Sequence, residues 1–232
     1  MSASSTTMTE PQAGHRVIAV LREAAAARPE VRLEDWDGLR VVVKDYTVRA
    51  TWVKLAMAGF LVKREAAAHR RLHDVDGIPP AMPVTNPHIL AHVYVEGRSV
   101  PEVKEPLTPE FFDRLYEIIA AIHERSMAHG DLKRLPNILV QPDGMPALVD
   151  LSAAIMSGSN PIVAAILGYI QDDDLRAVAK LKKRQAPDLL TQEEIDRLAW
   201  KPRAERMWRW LREYLRPWIQ RRSDPDGELP DD

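Results

Sequence analysis

The sequence predicts an α+β fold in which a small antiparallel sheet comes first and a mainly helical region follows. Three observations lead to this prediction. Tight-turn signals at Asp37-Gly38 and at Asp143-Gly144 each separate two short apolar runs, as in β-hairpins. Residues 52–73 lie between the hairpins and are rich in strong helix formers. After the second hairpin, the remaining apolar residues follow helical spacing.

Composition narrows the classes of function. The 232 residues suffice for one two-lobed domain. A net charge of -2 gives no overall positive field, so we expect no nucleic-acid partner. Because there is no cysteine, disulfides, thiolate zinc sites and thiol nucleophiles are excluded. This composition suits a reducing compartment, and we expect a cytoplasmic location.

In the first half, residues 15–27 carry apolar residues at helical spacing and predict a short amphipathic helix. Residues 31–33 and 39–45 predict a hairpin with Lys44 on its second strand. The helix over 52–73 is expected to pack four apolar residues on the sheet: Leu55, Phe60, Leu61 and Leu72. Residues 89–95 predict a further strand, and a boundary between two lobes is expected near Gly97.

In the second half, Thr108-Pro109-Glu110 opens a helix with a hydroxyl cap. Its predicted buried face comprises Phe112, Leu115, Ile118, Ile119 and Ile122. The hairpin of residues 138–140 and 147–149 holds Asn137 and Asp150 at neighbouring strand ends. Three helical stretches are predicted beyond it, at 160–170, 175–184 and 191–218. Asp172-Asp173-Asp174 would precede the second of them and interact favourably with its dipole.

The two ends, residues 1–14 and 223–232, read as disordered tails. The last predicted helix interleaves tryptophans, including Trp208 and Trp210, with many arginines. Two interpretations remain open. The helix packs an apolar stripe on the preceding domain, or it makes peripheral contact with an anionic membrane surface.

Six side chains match the demands of phosphoryl transfer, which needs a cation for phosphates, a metal ion and a carboxylate base. Lys44 is predicted to reach the phosphates, and Glu65 to hold its ammonium group by an ion pair. Asp131 is the predicted base, and Lys133 would steady the transferred phosphate. Asn137 and Asp150 offer the oxygen ligands that Mg²⁺ prefers.

Over residues 30–155, this arrangement resembles the protein-kinase-like fold. The segments Arg64-Glu65-Ala66, Arg70-Arg71-Leu72 and His129-Gly130-Asp131-Leu132 are most similar to small bacterial enzymes allied to RIO kinases and to lipopolysaccharide-core (heptose and 3-deoxy-D-manno-octulosonic acid) kinases. The resemblance implies two lobes, at 15–97 and 98–222, the second one mainly helical and truncated. It also implies ATP and Mg²⁺ as cofactors.

By the same resemblance, Val93 and Val95 would offer backbone groups to adenine in a hinge, with His92 as gatekeeper. The chain departs from the kinase pattern at several places. Asn137 comes six residues after Asp131 where the usual loop has five. Asp150-Leu151-Ser152 replaces Asp-Phe-Gly, so a flipping regulatory loop is not expected. No Gly-rich phosphate flap precedes Lys44, and other groups would have to hold the phosphates.

We therefore expect an ATP- and Mg²⁺-dependent phosphotransferase that moves the γ-phosphate to a hydroxyl of a protein Ser/Thr or of a lipopolysaccharide-type sugar. The alternative is a pseudokinase that binds nucleotide or a partner without turnover. Phosphorylation of an antibiotic would use the same catalytic parts, and the sequence does not select among these acceptors.

Overall fold

The computed structural model describes residues 14–25, 28–48, 52–157 and 161–199. They fall into two compact units, one ending at Leu189 and one beginning at Leu190. Most of the predicted N-terminal tail, the acidic tail 223–232 and the Trp/Arg-rich segment from Trp200 onward lie outside the described residues. The predicted lobe boundary near Gly97 falls inside the first unit and stays a prediction.

The N-terminal region contains the predicted antiparallel sheet, which has five strands, two of them not predicted. Its strands are β1 (His15–Arg22), β2 (Glu30–Trp36), β3 (Leu39–Asp45), β4 (Ala81–Met82) and β5 (Ile89–Val93), in the order β1-β2-β3-β5-β4. Asp37 and Gly38 both have positive φ angles, of 52° and 89°. This geometry is that of a primed two-residue turn, and it confirms the β2-β3 hairpin that carries Lys44.

The helix predicted over residues 15–27 is wrong, because this segment begins with strand β1. Two register shifts interrupt its pairing with β2, one between Val17 and Ala19 and one between Val20 and Arg22. Each β-bulge inserts a residue and breaks the alternation that marks a strand. The apolar spacing therefore imitates a helix, although the four large apolar side chains of β1 are about half exposed.

Helix α1 (Trp52–Arg71) carries Glu65 toward the sheet and contacts both β5 and the turn of residues 151–153. Its residues Ala58, Val62 and Ala68 are buried, as is Leu72 just beyond it. Phe60 was expected to pack on the sheet, but 67% of it is exposed. It lies two residues from both Ala58 and Val62, on the outer face of the helix.

The helical region begins with α2 (Pro109–Glu124), whose cap is the predicted one: the Thr108 hydroxyl accepts from the Phe111 N–H. All five predicted core residues of α2 are buried. Short strands lie on both sides of α2 in the chain. Strand β6 (Arg98–Ser99) pairs with β8 (Ile138–Val140), which pairs with β9 (Pro146–Leu148), while β7 (Met127–Ala128) pairs with β10 (Ile155–Met156).

Helix α3 (Pro161–Gln185) is continuous, so the prediction of two helices broken near Asp172 is wrong. Three aspartates fit inside this helix because each has a partner: Asp172 bonds Arg176, Asp173 bonds Lys133, and Asp174 bonds two backbone amides. The second unit contains α4 (Gln192–Ala199), which begins with a reciprocal capping box between Thr191 and Glu194. Within the described residues, no helix combines the length and apolar character needed to cross a membrane.

Candidate active site

Lys44 joins the sheet to the second hairpin. Its ammonium Nζ lies 2.6 Å from Glu65 Oε1 and 2.6 Å from Asp150 Oδ1. Lys44 and Glu65 are almost fully buried. Burial opposes the charge on Lys44, but Glu65 and Asp150 outweigh it and raise the pKa of Lys44. The structure thus brings together three of the predicted site residues, from β3, α1 and the end of β9.

The turn after β9 fixes the orientation of Asp150. Asp150 has left-handed backbone angles (φ 65°, ψ 71°), which a non-glycine residue adopts only under local constraint. The hydroxyl and the N–H of Ser152 both donate to its carboxylate. Burial raises the pKa of Asp150, yet Lys44 and Ser152 outweigh burial and hold this pKa well below its usual range. Asp150 is therefore ionised at neutral pH.

Arg64 ties the same turn to α1. Its guanidinium donates from Nη2 to the Ser152 carbonyl. The contacts form a closed ring of interactions. Lys44 bonds Glu65 and Asp150, and Asp150 accepts from Ser152. Ser152 is in turn bonded to Arg64, the neighbour of Glu65 on α1. This arrangement agrees with the expectation that the Asp150-Leu151-Ser152 segment does not flip.

The loop containing the predicted base is anchored from α3. The carboxylate of Asp174 accepts from the N–H of His129 at 2.8 Å and from the N–H of Gly130 at 3.0 Å. His129 is fully buried, and its Nε2 donates to the Val149 carbonyl at 3.1 Å. Both partners fix the loop rather than face a reactant. The structure therefore agrees with a packing and hydrogen-bonding role for His129.

Gly130 has a local reason to be glycine. Its φ is +79°, and a Cβ atom built on it would lie 2.7 Å from the carbonyl oxygen of Ala153. Real Cβ atoms do not approach so closely, and the left-handed region already disfavours side chains. Gly130 thus lets the loop pass against the turn that carries Asp150.

Asp131 and Asn137 lie together despite the extra residue between them. Residues 135–137 form one 3₁₀ turn with Pro136 inside it, which takes up the additional length. Asn137 Nδ2 donates to the Asp131 carbonyl at 3.0 Å and is 3.4 Å from the carboxylate atom Oδ2. The pKa of Asp131 is raised, first by partial burial, with Asp150 adding to it and Arg134 and His129 opposing.

Asn137 and Asp150 are suited to hold a metal ion. The Val149 N–H donates to the Asn137 carbonyl at 3.0 Å, which places the two residues at adjoining strand ends. Because the Asn137 amide nitrogen is bonded to Asp131, its oxygen Oδ1 is left for a cation. No group of three or more His, Cys, Asp or Glu side chains forms a metal cluster among the described residues. Two hard-oxygen ligands completed by phosphates and water fit Mg²⁺.

Lys133 is the one predicted catalytic residue that the structure does not bring to the others. Its Nζ lies 2.8 Å from Asp173 of α3, and the side chain is 57% exposed. Lys133 is two residues after Asp131 and lies on the side of the loop that faces α3. Its role in steadying a phosphate stays a prediction.

The predicted hinge follows β5. The Val93 N–H donates to Pro80 and its carbonyl accepts from His92 Nδ1, so only the second lone pair of that carbonyl is left. No hydrogen bond joins the Val95 backbone to another described residue. Beside this segment, a depression of about 340 Å³ is lined by Tyr94, Glu96, Gly97, Arg98, Val140, Gln141 and Pro142. It contains no predicted catalytic residue, so the charged side chains locate the site better than this depression does.

Sequence reasoning missed several residues that shape the site. The roles of Asp174 and Arg64 were not recognised because their partners are backbone groups distant in sequence. The role of Ser152 was not recognised because its contact with the Asp150 carboxylate depends on the geometry of the turn. Val31 and Leu33 on β2 were missed as well. They pair with Lys44 and Val42, so they share the Lys44 face of the sheet. The alternation of side chains along β2 could have revealed that Val31 and Leu33 share this face.

A scan against protein-family models matches residues 41–195 to the RIO domain, more than half of the chain. The chain belongs to the RIO domain family. This match confirms the predicted RIO-type resemblance, whereas the likeness to lipopolysaccharide-core kinases and the bacterial origin stay predictions. A search of curated proteins found no match.

Solved structures with the same fold include the Rio2 kinase from Chaetomium thermophilum. That structure has a TM-score of 0.55 and 16% sequence identity, over 73% of this chain and 58% of that chain. A second structure, the Rio2 kinase-ADP/Mg²⁺-phosphoaspartate complex from the same organism, has a TM-score of 0.55 and 15% identity, over 76% and 58%. They confirm the predicted α+β, protein-kinase-like fold. The chain spans 58% of the length of these Rio2 chains.

Proposed function

We propose that this chain is a RIO-type phosphotransferase that uses ATP and Mg²⁺ to phosphorylate a hydroxyl group. The observation that carries the proposal is the position of Lys44, whose ammonium is 2.6 Å from both Glu65 and Asp150. This arrangement joins a phosphate-binding cation to a metal ligand, as phosphoryl transfer requires. The Rio2 complex with ADP and Mg²⁺ supports the choice of cofactors.

Each residue has a defined task in this proposal. Lys44 binds phosphate oxygens, and Asn137 and Asp150 hold the magnesium ion, which supplies charge neutralisation to the phosphates. Asp131 accepts the proton as the acceptor oxygen bonds to the γ-phosphorus and the bond to the ADP oxygen breaks. Its raised pKa makes it a stronger base than an ordinary carboxylate. Val31 and Leu33 cover one face of the adenine ring, and the backbone of Val93 and Val95 contacts the edge of this ring.

The test is transfer of radiolabelled γ-phosphate to lysate fractions divided into proteins, lipids and small molecules. Asp131→Asn should lower transfer by about 10²-fold to 10⁴-fold, the usual contribution of a general base. It should leave ATP affinity nearly unchanged, since Asp131 makes no contact with Lys44. Asp143→Asn, on the exposed turn after β8, is the control. Equal activity of wild type and Asp131→Asn would refute the proposal.

A pseudokinase is the second candidate, and the β1-β2 connection favours it. Residues 23–29, at the place of the kinase phosphate flap, contain no glycine. A protein that binds nucleotide tightly but gives no Asp131-dependent transfer to any fraction would match this candidate. Transfer that is lost in Asp131→Asn would exclude it.

The acceptor and the location form a finer part of the proposal. We propose a protein Ser/Thr or a lipopolysaccharide-type sugar as acceptor and a cytoplasmic protein that contacts the membrane peripherally. The interleaved tryptophans and arginines beyond Trp200 support membrane contact. Co-sedimentation with anionic vesicles should disappear when Trp208 and Trp210 become Ser. A protein that ignores such vesicles would remove the membrane contact from the proposal.

A further inference from the structure

Arg22, the last residue of β1, lies in one row with Lys44 across the sheet. Arg22 is opposite Val31 on β2, and Val31 is opposite Lys44 on β3. Directly opposite residues of antiparallel strands project from the same face. Arg22 therefore belongs to the face from which Lys44 reaches Glu65 and Asp150.

A β-bulge is what directs Arg22 to this face. Just before it, Val20 is opposite Arg32, which belongs to the other face. With regular pairing, Leu21 would be opposite Val31, and Arg22 would be opposite Glu30. The register shift between Val20 and Arg22 adds one residue and moves Arg22 into the Lys44 row. Bulges commonly re-aim a side chain next to a functional site.

Arg22 also carries a free charge. It is exposed, and no hydrogen bond or ion pair joins its guanidinium to another residue in the described part of the chain. Arg32, on the opposite face, is instead held by three carboxylates, those of Glu30, Glu34 and Asp45. The difference distinguishes a cation available for a ligand from one that stabilises the sheet.

Tyr46 provides an independent indication of where the Arg22 charge acts. The pKa of Tyr46 is raised chiefly by burial and then by Glu65, while Lys44 and Arg22 oppose this effect and Asp150 adds to it. The same phenol thus responds to Arg22 and to all three members of the Lys44 cluster. The electrostatic reach of Arg22 overlaps that of the cluster.

The site needs such a cation. Lys44 is balanced by Glu65 and Asp150, so this cluster offers no excess positive charge to a polyphosphate. Asp131 adds a carboxylate, and the Arg134 guanidinium lies 3.7 Å from it. The β1-β2 connection has no glycine to bring backbone N–H groups close to the phosphates. A guanidinium is well suited to phosphate oxygens.

We propose that Arg22 binds the polyphosphate chain of the nucleotide from the sheet side, in place of the missing glycine-rich flap. The inference rests on the proposed function, because it assigns a phosphate-binding residue to the same site. The bulge in β1 places Arg22 on the Lys44 face of the sheet, and its exposed guanidinium provides the positive charge for the phosphates.

The experiment compares full-length wild type with Arg22→Gln, Arg22→Lys and Arg16→Gln in calorimetric titrations with Mg-ATP, Mg-ADP and adenosine. Arg16 is the matched control, because it is an exposed arginine of the same strand at its other end, opposite Asp35. Arg22→Gln should bind ATP and ADP about tenfold more weakly, as expected for one charge-assisted hydrogen bond. Adenosine affinity should not change. Arg22→Lys should recover most of the ATP affinity, and Arg16→Gln should match wild type.

Three results would overturn the inference: unchanged ATP affinity in Arg22→Gln, an equal loss in Arg16→Gln, or an equal loss for adenosine. A wild type that binds ATP normally and shows any of them contradicts only the role of Arg22. A wild type that binds neither ATP nor adenosine contradicts the proposed function itself.

Discussion

At the scale of single residues, Gly130 and Gly144 offer a matched comparison. Their φ angles are +79° and +83°, but only at Gly130 would a Cβ atom meet a neighbour, the Ala153 carbonyl at 2.7 Å. Alanine at Gly144 should cost about 1 kcal/mol of unfolding free energy, from backbone strain alone. Gly130→Ala should cost about 2 kcal/mol or more, because strain and the close contact add. Urea unfolding measures both, and equal losses would show that the loop yields without cost.

His69 and His92 make stability depend on pH. Their rings stack with centroids 5.4 Å apart. Burial lowers the pKa of His69 to about 4 and that of His92 to about 3, despite the carbonyls of Pro79 and Val93 that accept from them. The unfolded chain binds protons near pH 6.5, and the folded chain does not, so stability is full above this pH and falls as the pH is lowered toward these folded-state values.

The predicted loss is on the order of 2 kcal/mol per histidine between pH 6.5 and 5. Urea unfolding at pH 7.5, 6 and 5 measures it. His73, an exposed residue just after the end of α1, provides the control. His69→Gln should flatten the pH dependence and His73→Gln should not. A wild-type stability that is constant from pH 7.5 to 5 would contradict the assignment of buried neutral histidines.

At the scale of elements, α3 anchors the catalytic loop through Asp174. Removing a buried carboxylate that accepts from two backbone amides should cost about 3 kcal/mol. Asp174→Ala should therefore lower both the unfolding free energy and phosphoryl transfer. Asp173→Asn on the same helix removes only the pair with the exposed Lys133, worth about 1 kcal/mol or less. Chemical denaturation of the two variants measures the difference, and similar losses would contradict an anchoring role specific to Asp174.

The contact between α1 and the Asp150 turn should control metal binding. Arg64→Met removes the donor to Ser152, and the partners that orient a metal ligand typically contribute 10-fold to 100-fold in metal affinity or activity. We expect weaker Mn²⁺ binding with ADP present, seen in electron paramagnetic resonance as a larger sharp signal from free Mn²⁺, at unchanged adenosine affinity. Lys63→Met, at the exposed neighbouring position of α1, is the control. A loss in Lys63→Met as large as in Arg64→Met would indicate a general effect of the helix.

Local signals were enough to predict most of the elements. The Asp37-Gly38 turn, the Thr108 cap and the apolar stripe of α2 act within a few residues, so the pattern alone reveals them. Strand β1 and helix α3 depend on distant partners. The bulges of β1 disguise its alternation, and the aspartates in α3 look like a helix start until Lys133 and the loop amides are placed beside them.

At the scale of the whole molecule, the ion pairs of Lys44 connect segments up to 106 residues apart in the chain. The sequence could predict which residues make up the site, because the strand of Lys44, the helix of Glu65 and the hairpin of Asp150 each have local signatures. It could not predict how the turn is locked or that Lys133 faces α3, because both depend on side chains meeting across the fold. The RIO domain match and the Rio2 structures agree with the arrangement at the level of family and fold.

The most direct test of the account is a crystal structure with ADP and Mn²⁺, in which anomalous scattering locates the metal. We expect a metal peak about 2.0–2.3 Å from Asn137 Oδ1 and an Asp150 carboxylate oxygen, with a phosphate oxygen at the Lys44 ammonium. A bound nucleotide whose metal lies away from both residues, or whose phosphates avoid Lys44, would contradict it.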